Sequence, residues 1–134
     1  MVPTDYIMRI VEEFARVLAR VLLFKEMKQY VNASDELNKL SKMITGFDLE
    51  QLKALGKEGI KSFFDLNNYS NLEKVFYSAK ALKEEAIINF EQGRVDEGME
   101  CLAIALGIFE VIQEKGKDIP GLAEEISFIK RNIN

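Results

Sequence analysis

The sequence predicts an all-α chain of about five to seven helices. Three observations carry that prediction. Apolar residues recur at three-and-four spacing along nearly the whole chain, and no alternating strand pattern lasts more than a few residues. Only two prolines occur, Pro3 and Pro120, both near expected helix starts rather than inside periodic segments. The glycines sit mostly where one periodic segment gives way to the next, at Gly46, Gly56, Gly59, Gly93, Gly116 and Gly121.

A first hairpin is expected over 4–45. Its first helix runs from Thr4 to about Lys28, with Ile7, Ile10, Phe14, Val17, Leu18, Val21 and Phe24 on one buried face. A second stripe of Met8, Val11, Ala15, Ala19 and Leu22 widens the apolar side. Arg9 with Glu13, and Glu12 with Arg16, stand four apart as ion pairs. So broad an apolar surface implies a central helix or one that also makes a dimer contact. The second helix, Val31 to Thr45, carries one stripe of Ala33, Leu37, Leu40 and Ile44, and Gly46 is placed to stop it in a left-handed turn.

The segment 48–70 reads as an irregular insertion. Asp48 and Gln51 suit a capping arrangement for a short helix through Leu49, Leu52 and Leu55, followed beyond Gly56 by a turn carrying Ile60, Phe63, Phe64 and Leu66. The second hairpin spans 71–115. Ser70 and Glu73 make a capping box for its first helix, which buries Leu72, Val75, Phe76, Ala79, Leu82, Ala86 and Phe90 and ends at Gly93. The next helix, Val95 to Lys115, has two apolar faces. The face holding Cys101, Ile104, Ile108 and Val111 is expected to meet a capping helix over 119–132 with Leu122, Ile126, Ile129 and Ile133.

Composition excludes several functions. The chain has 134 residues, which suits one domain. Its net charge of −4 is poor for binding a polyanion, so no nucleic acid is expected. Histidine is absent, which removes the commonest general base and transition-metal ligand. The single cysteine, Cys101, allows no intrachain disulfide, and the start carries no signal-peptide pattern. The least charged run, Cys101 to Ile112, is too short to span a bilayer. A cytoplasmic location follows as the expectation, with no membrane and no cofactor.

Possible chemistry reduces to ordinary structure. Glu12, Glu13, Glu84 and Glu85 could be imagined around two metal ions, but such sites use a Glu-x-x-His element and no histidine exists. Ser127 and Lys130 match a nucleophile–base spacing without the other parts of that constellation. Cys101 reads as a buried structural thiol. Two glycosylation sequons, at Asn32 and Asn68, carry no weight without secretion. Neither a catalytic nor a metal site is expected.

The stretch from Ile88 to Glu110 resembles a tetratricopeptide repeat. Leu82, Ala86 and Gly93 fit the first helix and turn of that motif, while Gly98, Leu102 and Ala105 fit the second helix; Asn89 stands where an aromatic is usual. In the N-terminal hairpin Val17, Val21 and Phe24, then Tyr30, Ala33, Leu37 and Leu40, fit the same pattern. Ala33 and Gly98 lie 65 residues apart, nearly two repeat lengths. The opening also resembles a small bacterial family of unknown function with tetratricopeptide-like architecture. These resemblances imply hairpins, a bacterial source and peptide binding on the concave surface of the first helices. They pick Ala15, Leu18, Leu22 and Lys25 in one hairpin and Lys80, Lys83, Ile87 and Phe90 in the other. A non-enzymatic interaction module for a protein or peptide partner is therefore expected. The alternative is a small-ligand-binding protein or enzyme with its site around Phe63 to Tyr69. A homodimer through the first helix is expected if the stripe of Met8, Val11, Ala15 and Leu22 stays uncovered.

Overall fold

The computed structural model describes residues 4–133, and among them every regular element is helical. The six helices are α1 (Thr4–Glu26), α2 (Tyr30–Thr45), α3 (Leu49–Phe63), α4 (Tyr69–Glu91), α5 (Val95–Glu114) and α6 (Leu122–Ile133). One core runs through all six.

Two hairpins, α1–α2 and α4–α5, repeat one local geometry. Tyr69 and Glu91 each lie 65 positions after Thr4 and Glu26, and Val95 lies 65 after Tyr30. The turns match atom for atom in type. In the first, Gln29 N–H donates to Phe24 O at 2.8 Å and Lys28 N–H to Lys25 O at 2.9 Å. In the second, Arg94 N–H donates to Asn89 O at 2.8 Å and Gly93 N–H to Phe90 O at 3.0 Å. This is the paired closure that satisfies the last carbonyls of a helix around a left-handed residue. Gly93 takes that conformation at φ 79°, whereas Lys28 takes it at φ 57° with a full side chain. The first helix was expected to reach Lys28; it stops at Glu26 because Lys28 does a glycine's work with no glycine to announce it.

The two hairpins sit side by side. Contacts of Tyr6 with Lys74, Phe14 with Tyr77 and Lys25 with Glu91 show α1 and α4 running in the same direction. Extensive packing links α1 to α2, α2 to α4, α4 to α5 and α5 to α6, while α1 and α4 touch more sparingly.

Three expectations are corrected. The centre of the molecule is α4, not α1: from Tyr69 to Phe90 no residue of α4 is exposed, and even Glu73, Ser78 and Asn89 are buried. On α1, Ile10, Phe14, Val17 and Val21 are buried, but the second stripe is open to solvent, with Met8 at 53%, Val11 at 41% and Leu22 at 49% exposure. Secondly, the insertion is mostly helical. Asp48 and Gln51 form the expected reciprocal cap, and α3 continues past a break at Gly56 to Phe63, packing along α5. Thirdly, α4 starts two residues earlier than a Ser70 cap would allow. Asn68 Oδ1 accepts from Asn71 N–H at 3.2 Å instead. Gly46 does close α2 in the left-handed region, at φ 86°.

The expected four-apart ion pairs of α1 are also replaced. Arg16 pairs with Glu13, and Arg20 Nε reaches Glu36 of α2 at 2.6 Å. Tertiary contact with α2 outcompetes the within-helix spacing.

Candidate functional site

The candidate residues on α1 and α4 are related by the same 65-residue offset, Ala15 to Lys80 and Leu22 to Ile87 among them. Because α1 and α4 lie alongside one another, most of these residues border one strip of surface. Ala15 and Leu22 are exposed on it, and Leu18, Lys25, Lys80, Lys83 and Ile87 are half-buried. Phe90 is not part of it. Its ring lies on α5 against Gly98, where an added Cβ would come within 2.5 Å of a ring carbon. Gly98 is therefore small to admit the Phe90 ring.

Charge along the strip is mostly neutralised. Lys25 Nζ sits 3.5 Å from Glu91. Lys83 Nζ meets Glu125 of α6 at 2.5 Å and Glu84 at 3.5 Å, and lies over the Phe128 ring. Lys80 differs. Its ammonium lies 4.8 Å from the Phe14 ring, 5.2 Å from Tyr77 and 5.5 Å from Phe76, with no ion-pair partner among the described residues. Burial holds it below the ordinary lysine range, offset in part by the Glu125 and Glu84 carboxylates. Aromatic faces supply the attraction that a carboxylate would otherwise provide.

Two contributors were missed from the sequence, Glu125 and Phe128. The capping helix was expected to touch only α5, yet these residues carry it over α4 to meet Lys83. Their three-residue spacing beside the Ile126 and Ile129 stripe is the signal that could have found them.

A polar network lies on the opposite side of α4. Ser34 Oγ donates to Glu85 Oε1 at 2.6 Å, and Asn89 Nδ2 donates to Glu85 O at 3.0 Å. Burial raises Glu85 above the usual carboxylate value, and the Ser34 bond works against that rise. Cys101 is fully buried beside Asn89, its thiol pushed up to about 11 by burial. The side chains identified around it, Asn89 and Lys53, belong to α4 and α3, so the expectation that α6 covers it is corrected. The insertion provides that cover because α3 runs along α5, with Lys53 near Glu100 and Lys57 near Gly107.

The alternative region is a depression of about 660 Å3 bounded by Lys61, Phe63, Asp65, Asn67, Glu114 and Lys115. Tyr69, at its edge in sequence, donates from its hydroxyl to Asp118 O at 3.2 Å. Of the imagined metal set, Glu13, Glu84 and Glu85 are engaged by Arg16, Lys83 and Ser34. Among the described residues no group of three or more acidic, cysteine or histidine side chains gathers to hold a metal. Ser127 and Lys130 are both exposed on α6. No described helix is long and apolar enough to cross a membrane.

No family model, curated protein or solved structure matches the chain.

Proposed function

We propose that the chain is a non-enzymatic helical interaction module that holds a peptide or protein segment against the strip between α1 and α4. One observation carries the reading. Exposed apolar side chains at Ala15 and Leu22 lie on the same strip as the ring-backed ammonium of Lys80, which makes no ion pair of its own. Apolar anchors beside one uncompensated cation suit an amphipathic segment better than a small solute. The order of helix packing and the 65-residue match of the two turns support tetratricopeptide-like hairpins as the frame. A cytoplasmic location and a bacterial source belong to the same proposal, and self-association through α1 is part of it.

Selection from a random peptide display library, followed by calorimetric titration of the enriched peptide, tests the reading. Leu22→Glu and Lys80→Ala should each weaken binding at least about tenfold. Unchanged affinity in both variants, or no enrichment, counts against it.

The depression beside Phe63 supports a second reading, a small-ligand site, because charged groups of both signs line it. A thermal-shift screen of small polar metabolites tests that. A hit that survives Asp65→Asn and Lys115→Ala does not bind there.

A further inference from the structure

We infer that α1 pairs with α1 of a second copy, antiparallel and centred on Ala15; this deepens the self-association reading just proposed and rests on it. Most of the exposed large apolar side chains among the described residues fall between Tyr6 and Val31. Met8, Val11, Ala15, Leu18 and Leu22 follow one another at alternating spacings of three and four. That period keeps the stripe along the helix axis, over about 21 Å from Met8 to Leu22.

A two-fold axis through Ala15 makes this stripe self-complementary. Met8 falls against Leu22 of the second copy, and Val11 against Ala19. The alanines meet at the axis, where small side chains allow the helices their closest approach.

Charge selects the antiparallel arrangement. Glu12 and Arg16 flank the stripe, both exposed, and Glu12 makes no ion pair among the described residues. Antiparallel pairing leaves Glu12 about 3 Å along the axis from Arg16 of the second copy, twice over by symmetry. Parallel pairing would set Glu12 on Glu12 and Glu26 on Glu26. The arrangement also carries a penalty, since Asp5 meets Glu26 of the second copy at each end. The stripe is small as well, roughly 200 Å2 per copy for a helix about 10 Å wide, against about 800 Å2 in a stable interface. The dimer is consequently weak and exchanges with monomer.

Light scattering of the full chain from low-micromolar to near-millimolar concentration should show the mass climbing from monomer toward dimer. Ala15→Glu should hold it at monomer with helical content unchanged. Glu26→Lys turns the end repulsion into attraction and should lower the midpoint concentration several-fold. In a Cys101→Ser background, Ala15→Cys should oxidise to a linked dimer and Met8→Cys should not. A monomer mass at every concentration overturns self-association. Weakening by Glu26→Lys, or linkage through Met8→Cys, overturns the antiparallel arrangement. Peptide capture is measured on dilute monomer, so each of these results is separable from a failure of that reading.

Discussion

Helices α1 and α4 have the same length, 23 residues each, and are equally apolar on average, yet one is half in solvent and the other is enclosed. They are matching parts of one hairpin unit 65 residues apart, so the contrast isolates what neighbours do. Val11 on α1 is 41% exposed, while its counterpart Phe76 on α4 is 1% exposed. Around Phe76 stand Phe109 of α5 and Gly121 ahead of α6. Nothing among the described residues plays those parts for Val11. Enclosure also explains why α4 tolerates buried polar groups: Ser78 Oγ donates to Val75 O at 2.8 Å, and Asn89 donates to Glu85 O. A helix's own composition therefore does not make it central. The packing order does.

The largest expected effect puts that contrast to a direct test. Phe76→Ala should lower stability by about 3–5 kcal/mol, because it opens a cavity in a ring-packed core. Val11→Ala, at the matching position, should change it by less than about 0.5 kcal/mol. Urea denaturation of both variants decides. Comparable losses would mean that α1 is covered in solution even in dilute monomer, and that the edge is not an edge.

A smaller effect, of opposite sign in the two hairpins, is expected at their turns. Lys28 and Gly93 share one left-handed position, which costs a residue with a Cβ about 1 kcal/mol. Lys28→Gly should therefore raise the thermal midpoint, and Gly93→Ala should lower it by a similar amount. Space is not the issue at Gly93, since a Cβ there would meet nothing within 4 Å. If both substitutions move stability the same way, the turns are not equivalent.

The part of the molecule that was legible from sequence is the part set by local chemistry. Glycine stops at Gly46 and Gly93, the Asp48 cap and the single stripe of α2 all depend on residues within a turn or two. The offset pairing of Ala15 with Lys80 and Leu22 with Ile87 was also available, because a repeat carries its register in its spacing. What sequence could not disclose depends on distant neighbours. The centrality of α4, the cover of Cys101 by α3 and the exclusion of Phe90 from the strip each rest on which helix lies opposite. Lys28 is a different failure, since a lysine in a left-handed turn leaves no compositional mark.

Still smaller is the effect of a buried charge that the α1 hairpin lacks. Glu85 corresponds to Arg20, which lies toward solvent and meets Glu36, whereas the Glu85 carboxylate faces Ser34 inside. A folded-state pKa raised by burial means its stabilising contribution is complete below the ordinary glutamate value of about 4.3. That contribution is lost as pH rises through the folded value. At neutral pH the ionised group is a burden, so Glu85→Gln should raise the unfolding midpoint there and flatten its decline above pH 4.3. A lower midpoint at neutral pH would show that the Ser34 bond outweighs desolvation.

The smallest expected effect concerns Tyr69, which ties the start of α4 to the loop before α6 through its bond to Asp118 O. Burial, with the neighbouring Glu73 carboxylate, pushes its hydroxyl up to about 12. A phenol whose folded pKa lies above the ordinary value of 10 supports folding fully below that value and loses the contribution as pH climbs toward 12. At neutral pH, Tyr69→Phe removes one neutral hydrogen bond at the surface, worth no more than about 1 kcal/mol. The distinctive consequence lies in the alkaline range. Wild-type stability should fall faster than that of Tyr69→Phe once pH passes 10, so the gap between them closes. Parallel declines, followed by circular dichroism across that range, would place the Tyr69 hydroxyl in water and detach the start of α4 from the loop that leads into α6.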